Sequence, residues 1–233
     1  MEQYKLAVFT PASNARMKDR PTPQWRAAGF GVTKAFEGAP ALPSVASEMN
    51  GIILSNPSSE GVMQGELRLD DAFTQETMKS TLRKSFPVVH IASHFMFQPG
   101  NDASSFLLLG DGSHFSLAEL NSTRNLFANV QLLTLSACNT GVGDVPGEGK
   151  EVEGFGVMAQ RQGAKAVIAS LWPVADSSTS LLMREFYRIR ESEPGMTKAE
   201  ALGRAQLALL HGTAKRRAGE ESERAMIHEE PPS

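Results

Sequence analysis

Three short runs constrain this chain more than anything else in it: residues 88–92 (Val-Val-His-Ile-Ala), 130–135 (Val-Gln-Leu-Leu-Thr-Leu) and 166–171 (Ala-Val-Ile-Ala-Ser-Leu). Each is mostly apolar along its whole length and rich in β-branched or branched residues. A strand with one wet face alternates polar with apolar residues, whereas a strand covered on both faces does not. Helical segments lie between and after these runs. One starts near Ser116, a second runs over 154–162 and meets Gly163, a third follows Asp176 with Leu181, Leu182, Met183, Phe186 and Tyr187 apolar, and a fourth follows Thr197. Buried strands alternating with amphipathic helices predict an α/β fold, a mostly parallel sheet with helices on both faces.

Its 233 residues suit one such domain. We expect that domain over residues 1–212 and a polar, disordered tail over 213–233, where Lys215-Arg216-Arg217 is followed by a run of glutamates. Residues 6–9 suggest a first strand. Residues 10–30, rich in Pro and Arg, suggest a long loop, and 31–36 an edge strand or turn. Ser44 offers an N-cap for a helix leading into 49–54, which Gly51 weakens. Thr74 and Thr77 suggest a capped helix running to about Lys84, before Pro87. The run 105–109 is closed by Gly110-Asp111-Gly112, a turn signal.

The formal net charge is -3 and the pI about 6.0. Nucleic-acid and anionic-membrane surfaces favour a basic excess, so neither partner is expected. The chain contains one cysteine, Cys138. An intramolecular disulfide and a cysteine-based zinc cluster are therefore excluded. The first residues lack a basic start and apolar stretch, and no run approaches the ~20 apolar residues of a membrane span. A cytoplasmic location is the expectation.

The chemistry is expected beyond the carboxyl ends of the strands, where sites form in such sheets. The first run ends in Ala92-Ser93-His94, the second in Ser136-Ala137-Cys138, the third in 170–176, which contains Trp172 and Asp176. The first two share a layout of buried strand, small residues and one reactive side chain. If these strands are neighbours, His94 and Cys138 emerge side by side, about 4.8 Å being the strand spacing. An imidazole there takes the thiol proton or holds a thiolate. The alternative for Cys138 is a small buried hydrophobe. No Gly-x-Ser-x-Gly elbow or phosphate loop ending in Gly-Lys-Ser/Thr occurs. His90 and His94 are four apart without a His-Glu-x-x-His pattern, so no metal or other cofactor is expected.

Four blocks carry a resemblance: 88–94, 133–141, 163–176 and 198–202. In that order and spacing they resemble the CHAT family of caspase-like cysteine peptidases, in the clan that holds caspases, separases and gingipains. The resemblance implies a six-stranded, mainly parallel sheet in a three-layer sandwich and a dyad of His94 and Cys138, with His90 at a structural position. It implies an endopeptidase acting on a protein or peptide substrate. Family members usually sit behind helical repeats, so a helical-repeat regulatory partner is expected for a chain without them. The oxyanion is expected on backbone N–H groups of Phe95 and Cys138, and Phe95 stands where the family commonly has glycine. Asp176 is a candidate reader of a basic residue before the scissile bond, and equally an N-cap. Trp172 is a candidate wall of the cleft. Ser136 is assigned to substrate binding rather than to the chemistry. The alternative is a catalytically silent interaction or scaffold module.

Overall fold

A computed structural model describes residues 24–56, 60–96, 98, 100–136, 150–169 and 176–214. Its centre is a six-stranded sheet built from β1 (Ala27–Gly31), β2 (Ile53–Leu54), β3 (Met63–Leu69), β4 (Val88–Ala92), β8 (Leu132–Ser136) and β9 (Val167–Ala169). The spatial order is β2-β3-β1-β4-β8-β9, and every pair is parallel. This is the parallel α/β sheet expected from the three apolar runs, which supply β4, β8 and β9 as consecutive neighbours.

Two packed layers explain why the β4 and β8 runs are apolar throughout, whereas β9, expected to be buried, ends the strand order among the described residues and is only partly buried. On one face, Ala27, Val88, Ala92 and Leu132 meet α1 (Ser44–Ile52), α5 (Asp176–Ser192) and α6 (Lys198–Leu210), through Val45, Met49, Phe186, Tyr187 and Ala205. On the other, Ala28, Phe30, Val89, Ile91 and Leu133 meet α2 (Gln75–Leu82), α3 (Leu117–Ser122) and α4 (Lys150–Arg161), through Met78, Leu120, Phe155 and Ala159. Alternate residues of β4 serve opposite layers, so all five are buried.

Local signals set several helix starts. Thr74 and Thr77 form a reciprocal capping box at α2, as do Ser116 and Glu119 at α3. The Thr197 side chain accepts from the Glu200 N–H at α6. Ser44 differs from expectation. Pro43 occupies the N-cap of α1 and gives no side-chain cap, because Ser44 already lies inside the helix. Gly51 does not break α1: a Cβ there would lie 2.3 Å from the Arg184 side chain, so the glycine lets α5 cross.

The loop expected over 10–30 is also corrected. Residues 27–30 belong to β1, an interior strand between β3 and β4. Its small residues hide it from a propensity reading, yet they are what the position requires. A Cβ on Gly29 would meet Ile53 Cδ1 at 2.3 Å, and one on Gly31 would meet Val45 Cγ1 at 2.7 Å. Of the edge strand or turn suggested over 31–36, Gly31 closes β1 and Phe36 opens a turn bridged to Ala39. Residues 6–9 and most of the expected tail lie outside the described residues. Past His94 the chain forms a second, antiparallel sheet of β5 (Phe95–Met96), β6 (Phe106–Leu108) and β7 (His114–Ser116), in the order β5-β6-β7.

Candidate active site at the carboxyl edge of the sheet

β4 and β8 lie side by side with Val88 opposite Leu132, His90 opposite Thr134 and Ala92 opposite Ser136. The pairing reaches past β4, where the Ser93 N–H donates to the Ser136 carbonyl at 3.3 Å. Ser93 is buried and its hydroxyl donates to the Leu108 carbonyl at 2.6 Å. It is therefore a fastener between the main sheet and the small one.

His94 follows directly and is 1% exposed. Its Nε2 lies 2.7 Å from the carbonyl oxygen of Pro40, in the segment leading into α1. A carbonyl only accepts, so Nε2 carries the hydrogen and Nδ1 is the ring atom able to take a proton. The same bond would stabilise an imidazolium once Nδ1 had accepted one. The ring is thus held in the tautomer whose Nδ1 is the basic nitrogen. Pro40 carries no sequence signal for this role, because the group involved is main chain.

Phe95 turns the other way. Its ring is buried in the α2–α4 layer, 5.1 Å from the Phe155 ring at 74°. Among the described non-glycine residues, positive φ occurs only at Asp70, Ser85 and Asn125. Nothing in the backbone at Phe95 requires glycine. The Leu108 N–H donates to the His94 carbonyl at 2.9 Å, and Phe95 stands opposite Leu107. That makes Phe95–Leu107 the non-hydrogen-bonded pair of the antiparallel ladder. The peptide N–H of Phe95 is accordingly directed away from β6, toward the outer edge of β5.

Ser136 ends β8 at 2% exposure, and its buried Oγ has no hydrogen-bond partner. Cys138 and Trp172 lie outside the described residues. Asp176 is the first residue of α5. Below His94 the sheet holds a polar group that sequence reading reduced to one structural histidine. His90 Nε2 lies 2.7 Å from Glu48 Oε1 of α1, and its Nδ1 lies 3.2 Å from the Tyr187 hydroxyl, which in turn lies 2.7 Å from Thr134 Oγ1. His90, Glu48 and Thr134 are buried, and Tyr187 is fully so. The signal in the sequence was a histidine inside an otherwise apolar strand, because a buried polar group demands partners.

Among the described residues no group of three or more His, Cys, Asp or Glu could hold a metal ion. No helix among them is long and apolar enough to cross a membrane.

Comparison with known proteins adds a family. The family model described as CHAT domain matches residues 1–230. Among solved structures, the complex of Porphyromonas gingivalis RgpB pro- and mature domains matches at 14% identity and a TM-score of 0.49. The match covers 83% of this chain and 44% of that one. No curated protein matches.

Proposed function

The chain belongs to the CHAT domain family, and we propose that it is a cysteine endopeptidase with Cys138 as nucleophile and His94 as general base. The register of β4 against β8 carries this reading. Ala92 stands opposite Ser136 in parallel strands. Two further residues on each side would bring His94 opposite Cys138, at about the 4.8 Å separation of paired strands.

In this mechanism His94 Nδ1 takes the Cys138 thiol proton while Nε2–H stays on Pro40. The sulfur attacks the scissile carbonyl carbon, and the carbonyl oxygen becomes an oxyanion. The N–H groups of Cys138 and Phe95 are its assigned donors. The outward direction of the Phe95 N–H supports its part. The imidazolium then protonates the departing amine as the carbon–nitrogen bond breaks. Water, deprotonated by the same nitrogen, releases the acyl group from sulfur and returns the thiol. Ser136, two residues before Cys138, is assigned to substrate contact rather than to proton exchange. Asp176 reads a basic side chain before the scissile bond, with Trp172 walling the cleft. A helical-repeat partner governs access.

The single cysteine makes the test direct. Iodoacetamide stoichiometry reports Cys138 alone. A thiolate held beside His94 stays reactive well below the free-thiol value of about 8.5, and His94→Ala should push its reactivity back up to that range. Fluorogenic peptides with Arg, Lys, Leu or Asp before the cleavage bond give the activity, expected for Arg and Lys and lost in Cys138→Ala. Identical alkylation profiles for wild type and His94→Ala, with no peptide cleaved, would point instead to a silent interaction module.

A further inference from the structure

We propose that Glu48 is a positioning residue for this reaction: by binding His90 it docks α1 and its leading segment against β4, so that the Pro40 carbonyl holds His94 in its Nε2–H form. The consequence for turnover rests on the peptidase reading; the positioning itself does not.

Two contacts join the same two segments. His90 and His94 are four residues apart at the end of one strand. Pro40 and Glu48 are eight apart, across the start of one helix. Each histidine offers Nε2 to that segment, His90 to Glu48 Oε1 at 2.7 Å and His94 to the Pro40 carbonyl at 2.7 Å. The connection between Pro40 and Glu48 is short and anchored. The Leu42 N–H donates to the Thr33 carbonyl at 3.1 Å, the Val45 N–H donates to the Leu42 carbonyl at 3.2 Å, and the Leu42 and Val45 side chains are buried. A shift of α1 along the sheet is passed toward the Pro40 carbonyl through the Val45–Leu42 bond, against the Leu42–Thr33 bond that ties the same turn to the segment after β1.

Glu48 can fix that position because its acceptor is used once and aimed once. The residue is 1% exposed, and its Oε2 has no hydrogen-bond partner. Its oriented contact in the sheet is the one with His90. The rest of the network fits that direction. With Nε2–H on the carboxylate, His90 Nδ1 accepts from the Tyr187 hydroxyl, and Tyr187 accepts from Thr134. Burial pushes the Tyr187 phenol well above its ordinary value, a shift that the Thr134 hydrogen bond opposes and the charge of Glu48 reinforces, so it remains an O–H donor. Trp25 and Phe186 pack edge-on against Tyr187, at 6.4 and 4.9 Å between ring centroids. The network thus ties α1 and α5 to β4 and β8, the two strands that end toward His94 and Cys138.

The test uses the imidazole 15N signals of the full chain, which has five histidines, with His94 assigned by its loss in His94→Gln. Wild type should show His94 as the Nε2–H tautomer. Glu48→Leu, which removes the acceptor, should move His94 toward a mixture of tautomers. It should also lower kcat about tenfold while KM stays within about twofold, since a base is misplaced and no substrate contact is lost. Glu48→Gln, whose amide oxygen still accepts from Nε2–H, should restore both readouts. If Glu48→Leu does not fold, Glu48→Asp carries the test, because one lost methylene withdraws the acceptor from His90. Unchanged His94 signals in the folded variant overturn the proposal, as does a Glu48→Gln protein as impaired as Glu48→Leu. The tautomer is read without turnover. A moved tautomer in a protein that cleaves nothing therefore sustains the positioning and sinks the peptidase reading, and an unmoved one in an active enzyme does the reverse.

Discussion

His94 Nε2 sits 2.7 Å from the Pro40 carbonyl oxygen, so a main-chain atom from the segment before α1 orients the imidazole proposed as the base. A catalytic imidazole needs a partner on the nitrogen that does not react, and a carboxylate is the familiar one. Here a neutral carbonyl does that work. It fixes the tautomer without adding a full charge beside the ring.

Pro40→Gly tests that arrangement. The carbonyl remains, but the chain bearing it gains conformational freedom and the unfolded state gains more, a stability loss of about 1 kcal/mol. The expected kinetic effect is larger, a kcat reduced about tenfold as the acceptor wanders from Nε2. Steady-state kinetics on a cleaved peptide, beside a urea titration, separates the two effects. A fall in kcat no greater than the fall in folded fraction argues against orientation by Pro40.

Phe95 gives a prediction of opposite sense. Restoring the glycine common in the family removes a ring buried against Phe155. Large-to-small changes of this kind cost about 3–5 kcal/mol. Phe95→Gly should therefore unfold at markedly lower urea and gain no activity. Phe95→Leu, which keeps most of the volume, should cost less than half as much. A Phe95→Gly protein of wild-type stability would mean that the ring is dispensable to this core.

Much of this architecture was legible in the sequence, for definite reasons. β4 and β8 announce themselves because burial on both faces forces runs without polar alternation, whereas β9 is as apolar a run but ends the described strand order and is only partly buried. α2, α3 and α6 show at their first residues because capping is local chemistry. β1 was not legible. Its Ala27-Ala28-Gly29-Phe30-Gly31 has little strand preference, and it is a strand because β3 and β4 flank it closely. The site divides in the same way. His94 is marked by its place at a strand end, as is Cys138, which lies outside the described residues. The Pro40 carbonyl and the Glu48–His90 contact depend on how α1 lies over the sheet, a tertiary fact with no local pattern.

The glycines sort by what a methyl group would strike. On Gly65 of β3 it would lie 2.0 Å from the Ala27 carbonyl oxygen, a main-chain atom inside the sheet ladder. On Gly29 it meets the ends of Ile53, Leu67 and Met49 side chains, which can give way. On Gly203 of α6 it meets nothing within 4 Å. Gly65→Ala should therefore cost the most, at or above the ~1–3 kcal/mol typical of overpacking, and Gly29→Ala less. Gly203→Ala should stabilise by up to about 1 kcal/mol, because an interior helical glycine is replaced by the best helix former. Urea unfolding of the three variants gives the order, and a reversal of Gly65 and Gly29 would contradict the packing described for β1.

Asp70 predicts the acid limb of stability. It holds a left-handed backbone, φ 47°, and its carboxylate accepts from the Thr33 N–H at 2.8 Å and the Thr33 hydroxyl at 2.7 Å. Burial alone would raise its pKa. The bonds from Thr33 and from the Lys34 N–H, with the charge of Lys34, outweigh that and hold it below the ordinary value. A carboxyl that binds its proton more weakly folded than unfolded contributes stability above its unfolded value near ~4. That contribution is lost as pH falls through the lower, folded value. Asparagine tolerates the left-handed backbone and has nearly the same shape, so Asp70→Asn isolates the charged acceptor. It should cost about 1 kcal/mol at pH 7, and that cost should fade on acidification toward pH ~3. Neighbouring Asp71 is the control, because its pair with Lys34 is between largely exposed side chains, 83% and 47% accessible. Asp71→Asn should leave the urea midpoint nearly unchanged at either pH, as expected of an exposed pair. Equal losses at Asp70 and Asp71 would mean that the local negative charge, and not the Thr33 hydrogen bonds, anchors this loop beside β1.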